Sequence, residues 1–253
     1  MGQVYHVAKN GSDRNPGTTE APFLTIQRAA ELARAGDRVT VHEGEYREWV
    51  RPRNGGWGED SRIVYEAAPG EHVVIKGSER ITGWLPVEGT VWKVTLEDGF
   101  FPDVHPYRTP LGGDWFVAPR DYPVHPGEVY LNRQSFYEAR SLAEVLHPQI
   151  RTVSPHETWG GREEKILEPE RTLYQWFCEA GEDAVTIYAN FRGADPNREL
   201  VEINVRKFCF FPERTGLNYI TVRGFEMAQA ATGGRRPPPC RRGSSAQTGA
   251  RGG

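Results

Sequence analysis

The spacing of apolar positions changes twice along this chain. Val4–Val7 alternates and predicts a short strand, followed by a Gly/Asn/Pro-rich loop over 10–22. From Leu24 the text reads TIQRAAELARAGD, where Ile26, Ala29, Ala30 and Ala33 recur at helical spacing. Thr25 suits an N-cap and Gly36 sits where a helix ends, so one amphipathic helix is expected over Thr25–Ala35. Beyond it the period becomes two. Short strands are predicted at Asp37–Val41, Tyr46–Arg51, Arg62–Tyr65 and His72–Lys76, then far downstream at Val201–Val205 and Asn218–Arg223. Turns with Gly, Pro or Asn separate them, at Gly44, Asn54–Gly56, Pro69-Gly70, Gly77 and Gly224. Short strands at irregular spacing fit a parallel β-helix, whose turns vary freely, and fit a β-sandwich as well. The pattern alone leaves both open within an all-β class.

Between Trp84 and Leu200 aromatics and prolines are denser. Strands are predicted at Val91–Val94, Glu128–Leu131, Tyr174–Cys178 and Ala184–Tyr188, with a helical turn or two over Ser141–Leu146. The block 84–200 reads as a second β domain inserted into the first, with the first organised as 1–83 and 201–231. On that reading His72–Lys76 and Val201–Val205 are neighbours in space.

Composition sharpens this at one place. The chain has 253 residues, with 31 Lys+Arg against 34 Asp+Glu and a net charge of −3. Residues 232–253 hold five Arg, six Gly and three Pro, with no acid and no large apolar residue. Such a stretch buries nothing and is expected to be disordered. Without its five Arg the rest of the chain carries −8. An acidic body gives no electrostatic reason to bind nucleic acid. No apolar run reaches the length of a membrane span, and Met1–Asn10 has no apolar leader, so a cytoplasmic, membrane-free protein is expected. Three cysteines, Cys178, Cys209 and Cys240, form no disulfide framework.

The motif search is mostly negative. There is no HExxH, CxxC pair, GxSxG, GxGxxG or P-loop. His6 and His42 read as structural or surface residues rather than metal ligands. Glu43, Glu45 and Glu48 cluster in HEGEYREW; Glu43 and Glu45 share a face if a strand runs through Gly44, and otherwise lie in a solvated turn. Glu59-Asp60 reads as surface and Asp195 as a turn former. Trp49, Trp57, Trp84, Trp92, Trp159 and Trp176 read as packing residues.

The segment YHVAKNGSDRNPGTTEAPFLTIQRAAELARAGDRVTVHEGEYREWVRP resembles the start of right-handed parallel β-helix carbohydrate-active enzymes. With VVIKGSERITGW, GDWF, EVYLN, ANFRGADPN, VEINVR and ITVRGFEMAQAAT, it is similar to the β-xylosidases of glycoside hydrolase family 120 over residues 3–232. The resemblance implies a β-helix whose open end is plugged by the helix at Thr25–Ala35, with an immunoglobulin-like β-sandwich inserted. It implies a retaining hydrolase that releases xylose from xylo-oligosaccharides without a cofactor. The family's catalytic Asp and Glu would lie on rungs past Gly253, so no catalytic residue is carried over and the chain is expected to be inactive alone. Within Gly112-Gly-Asp-Trp115, the family's similar Trp lies at the substrate pocket. Trp115 is therefore the candidate sugar contact, its flat ring suited to a pyranose face, and Asp114 could orient a hydroxyl. Read one base out of register, codons for 233–253 permit WAPPTAxQxGLIGxxW, similar to the family's continuation, so this tail is expected to be a frameshifted product. The last rung near Val222 is then uncapped and expected to self-associate. Two alternatives remain: a β-helix polysaccharide lyase, needing a basic residue and usually Ca²⁺, and a non-catalytic carbohydrate-binding module.

Overall fold

The computed structural model describes residues 2–112, 122–152 and 166–231. Asp114, Trp115, Trp159 and the 232–253 tail lie outside the described residues. In chain order the elements are β1 (Val4–Val7), α1 (Ile26–Leu32), β2 (Arg38–Val41), β3 (Gly44–Tyr46), β4 (Ile63–Ala67), β5 (Val73–Lys76), β6 (Ser78–Arg80), β7 (Leu85–Glu88) and β8 (Val91–Glu97). There follow β9 (Val129–Leu131), β10 (Gln134–Ser135), β11 (Tyr137–Glu138), α2 (Leu142–Leu146), β12 (Gln175–Ala180), β13 (Ala184–Asn190), β14 (Val201–Asn204), β15 (Ile220–Arg223) and β16 (Phe225–Ala228). The fold is mostly β. It divides into two compact units, one from Met1–Gly77 and Phe208–Ala230, the other from Ser78–Lys207 with Ala231.

The first unit is built on two parallel sheets, ordered β1-β2-β4-β15 and β3-β5-β16. In both, each new strand adds to the edge left by the last. The register therefore lines up equivalent side chains in columns: Tyr5, Val39, Tyr65 and Val222 in one, Tyr46, Ile75 and Met227 in another. Tyr5, Val39, Tyr65, Tyr46 and Ile75 are buried in one core with Val7, Val41, Ile63 and Val73. Parallel pairing demands long crossovers, which explains strands far apart in sequence.

Helix α1 is shorter than its sequence pattern. Thr25 is the N-cap, its Oγ1 accepting Arg28 N–H at 3.1 Å. The chain leaves helical geometry at Ala33, and Asn54 Nδ2 donates to the carbonyl of that residue. Ile26, Ala29 and Ala30 pack into the same core.

The second unit has two sheets, ordered β10-β9-β14-β6 and β11-β12-β13-β8-β7, antiparallel except for the β11–β12 pair. Its core draws on both sheets: Val129, Val201 and Ile203 from one, Val94, Trp176, Val185 and Ile187 from the other. α2 adds Val145 to a small cluster with Val91 and Ala139.

Three expectations are corrected. Val201–Val205 does not lie beside His72–Lys76: β14 pairs with β6 and β9, while β5 is flanked by β3 and β16. The chain rejoins the first unit at Phe208, because Ser78–Arg80 and Val201–Asn204 satisfy each other as an antiparallel pair. Finally, the strand expected over Tyr46–Arg51 lies earlier, at Gly44–Tyr46, and Val50 makes only an isolated bridge to Phe210.

Candidate functional site

Asp114 and Trp115 are outside the described residues, but both flanks of their segment are described. Leu111 N–H donates to the Val124 carbonyl at 2.6 Å, and Gly127 N–H to that of Pro106 at 3.0 Å. Beneath them the fully buried Tyr107 donates to the Glu128 carbonyl at 2.6 Å. Asn204, on β14, completes the clamp. Its Oδ1 accepts Glu128 N–H at 2.8 Å and its Nδ2 donates to the Pro126 carbonyl at 2.8 Å. Gly127 is required here, since a Cβ would stand 2.5 Å from Tyr107 Cε1. Burial holds the Tyr107 hydroxyl far above its ordinary pKa, so it remains a donor. His125 adds a further tie: its Nδ1 lies 2.6 Å from Glu138 Oε1, and its N–H donates to Glu138 Oε2 at 3.0 Å. The segment carrying the candidate sugar contact thus springs from a buried, hydrogen-bonded base.

The carboxylates singled out in sequence are not assembled into one catalytic face. Glu45 is salt-bridged to the buried Lys76 at 3.0 Å and to Arg47 at 3.2 Å. Glu48 accepts the N–H groups of Ile26 and Gln27 at the start of α1, at 3.0 and 2.8 Å. Glu43 is exposed and donates its own N–H to Glu71. Glu59 and Asp60 are exposed, and Asp195 accepts Asn197 N–H in its turn, as expected. Other carboxylates are committed as well: Glu66 to Arg38 and Arg223, Glu79 to Arg206, Asp98 to Arg108. A retaining glycosidase needs two carboxylates about 5–5.5 Å apart, one of them a proton donor of raised pKa. Burial does push Glu48 upward, but its oxygens are occupied by the helix.

His6 and His42 form a structural relay, missed in sequence because its members are 36 and 29 residues apart. His6 Nδ1 and His42 Nε2 are 3.1 Å apart, and His42 Nδ1 is 3.1 Å from Glu71 Oε1. Ionised Glu71 only accepts, so His42 carries its proton on Nδ1 and His6 donates to His42 Nε2. Burial lowers the pKa of His6, and a proton added to the neighbouring His42 ring would lower it further. Among the described residues no group of His, Cys, Asp and Glu is arranged to hold a metal ion.

The tryptophans divide. Trp84 and Trp176 are core residues, as expected. Trp49 packs on Phe208. Trp57 is 88% exposed and is not a packing residue; its signal in sequence was the glycines on both sides, which mark a loop rather than a core strand.

Comparison with known proteins gives four findings. Residues 81–203 match the family model "Glycoside hydrolase 120, insertion domain". Residues 9–52 match a family described only as a protein of unknown function, DUF1565. A solved structure of XylC in complex with xylose is 52% identical with a TM-score of 0.87, covering 90% of this chain and 36% of its own. The uncharacterized protein YwoF of Bacillus subtilis (strain 168) is 40% identical over 76 residues, 30% of this chain and 16% of its own length. The chain therefore spans about a third of the XylC structure and a sixth of YwoF.

Proposed function

We propose that the chain belongs to glycoside hydrolase family 120 and is the part of a retaining β-xylosidase that carries the inserted domain. The observation that carries this reading is the likeness to XylC, 52% identical over 90% of this chain, in a structure that holds xylose. We read the two parallel sheets of the first unit as successive coils of a right-handed β-helix, with α1 over its first coil. Strand pairing that follows chain order supports this. We read the second unit as the inserted immunoglobulin-like sandwich, its core being shared by two sheets. The protein would work in the cytoplasm on xylo-oligosaccharides, without a cofactor.

In this reading Trp115 stacks on the xylose ring and Asp114 holds a hydroxyl, while Tyr107, Asn204 and Glu138 fix the base of their segment. Glu45, Glu48, Glu66, Glu79, Asp98 and Asp195 are tied to cations or backbone N–H groups and Glu43, Glu59 and Asp60 are exposed, so in this reading this chain by itself binds sugar without cleaving it. The comparisons do not favour the lyase or the non-catalytic module.

The test is a xylo-oligosaccharide titration followed by tryptophan fluorescence, alongside a nitrophenyl-xyloside assay. Saturable quenching with a component that disappears in Trp115→Ala, and no turnover, is the expected result. Turnover that is lost on mutating one of this chain's own carboxylates would overturn the inactive part of the reading. Absence of any xylose-specific binding would overturn the rest.

A further inference from the structure

Trp57 stands at the rim of an open depression of about 820 Å³ in the first unit, lined also by Gln3, Tyr5, Arg34 and Asp37. Leaving an indole 88% exposed forgoes the burial that Trp84 and Trp176 achieve. The loop that presents it is held on several sides. Gly56 N–H donates to the Asn218 carbonyl at 3.0 Å, Trp57 N–H to Ser61 Oγ at 3.1 Å, and Ser61 N–H to the Gly58 carbonyl at 3.1 Å. A Cβ at Gly55 would stand 2.5 Å from the Asn218 oxygen, so the close approach needs glycine. The indole is thus carried by a braced loop, and a ligand would not have to order that backbone on binding.

The polar groups around it are of the right kind. The Tyr5 hydroxyl donates to Gln3 Oε1 at 3.2 Å, leaving the Gln3 amide protons to serve a ligand. The Arg34 guanidinium has no ion pair among the described residues, though its backbone N–H donates to Asp37 Oδ2 at 2.8 Å. Asp37 Oδ1 accepts Gln3 N–H at 2.8 Å. Asp37 therefore spends its oxygens fixing the rim and its charge offsets that of Arg34. The lining has no net charge, which suits a neutral ligand over a phosphate or a uronate.

A flat apolar face beside amide and guanidinium donors, with a hydroxyl oxygen left to accept, matches a neutral pyranose, whose C–H face is apolar and whose edge is a ring of hydroxyls. We infer that the depression between Trp57 and Arg34 is a carbohydrate-binding site for a neutral β-linked pyranose chain. The choice of a xylan chain as its ligand rests on the proposed function above.

The test uses the full chain with Trp115→Ala as background, so that Trp57 is read alone. Xylohexaose and cellohexaose are titrated calorimetrically, and retardation is measured in gels containing soluble xylan. Trp57→Ala is expected to weaken xylohexaose binding by about tenfold, Arg34→Gln by less, and Trp57→Tyr to restore part of the loss. Circular dichroism confirms that each variant folds; Arg34→Gln and Trp57→Tyr carry the test if Trp57→Ala does not. Binding unchanged in these variants, or no binding in the background chain, overturns the inference while leaving any Trp115-dependent binding intact. Trp57-dependent binding of cellohexaose but not xylohexaose supports the pyranose site and counts against xylan as its ligand and against the xyloside reading.

Discussion

Glu48 accepts the backbone N–H of Gln27 at 2.8 Å, and Gln27 in turn accepts the N–H of Arg51 through Oε1 at 2.7 Å. The start of α1 and the segment after β3 are thereby laced together, with Glu48 also holding Ile26 N–H. A carboxylate at this position satisfies donors the helix cannot satisfy itself. Burial raises its pKa above the ordinary 4.5, and the two N–H bonds only partly offset that. A folded-state pKa above the unfolded one gives a contribution present at low pH and lost as pH rises through the folded value. Glu48→Gln keeps one acceptor oxygen and removes the charge. It is expected to cost about 1 kcal/mol at pH 4, with the gap from wild type narrowing as pH rises. Thermal unfolding from pH 4 to 8 checks this, and a widening gap would contradict it.

Glu66 joins three strands of one sheet, since it takes Arg38 from β2 on one oxygen and Arg223 from β15 on the other, the latter at 2.8 Å from Nε. Burial raises its pKa, but the two guanidinium partners outweigh that and leave it lowered. Its contribution is therefore present above the unfolded value and lost as pH falls through the folded one. Glu66→Gln is expected to lose about 1 kcal/mol at pH 7 and to converge with wild type in acid. Urea midpoints at pH 7 and pH 3 measure both arms.

Tyr107→Phe removes the hydroxyl that donates to the Glu128 carbonyl at 2.6 Å, while Asn204 Oδ1 keeps the Glu128 N–H. The expected loss is about 1–3 kcal/mol, because a hydrogen bond made by a fully buried residue is lost. Asn204→Ala should cost at least as much, as it leaves Glu128 N–H only the longer 3.2 Å bond to the Tyr107 hydroxyl and removes the donor to the Pro126 carbonyl. Denaturant unfolding read by near-ultraviolet circular dichroism would show this, and the pair should be less than additive.

Among the described residues β15 and β16 each end their sheet, and Met227 and Tyr219 are exposed beside them. Unpaired parallel edges template further strands. Light scattering after size exclusion is expected to show mass rising with concentration, and Val222→Lys with Met227→Lys should suppress it. A wild-type monomer at every concentration would rule this out.

Local readings did well where the cause was local. The strands at Val4–Val7 and Arg38–Val41, the Thr25 cap and the helical turn within Ser141–Leu146 follow from residues close in sequence. The misreadings came from partners far away. Gly44–Tyr46 is a strand because β5 lies beside it, and Ser78–Arg80 is one because β14 does, 124 residues later in register from Glu79 to Ile203. Trp57 looked like core because composition counts an indole as apolar wherever it sits.

The sequence by itself determined the all-β class, the capped helix and an inserted block, because periodicity, capping chemistry and turn signals are written in neighbouring residues. Only the tertiary structure decided where the insertion leaves and rejoins the first unit, at Gly77 and Phe208, and what each carboxylate does. Glu45, Glu48, Glu66 and Glu71 are alike as letters. Their roles come from a buried lysine, a helix start, two arginines and a histidine relay that strand pairing and long crossovers bring within 3 Å or so of them.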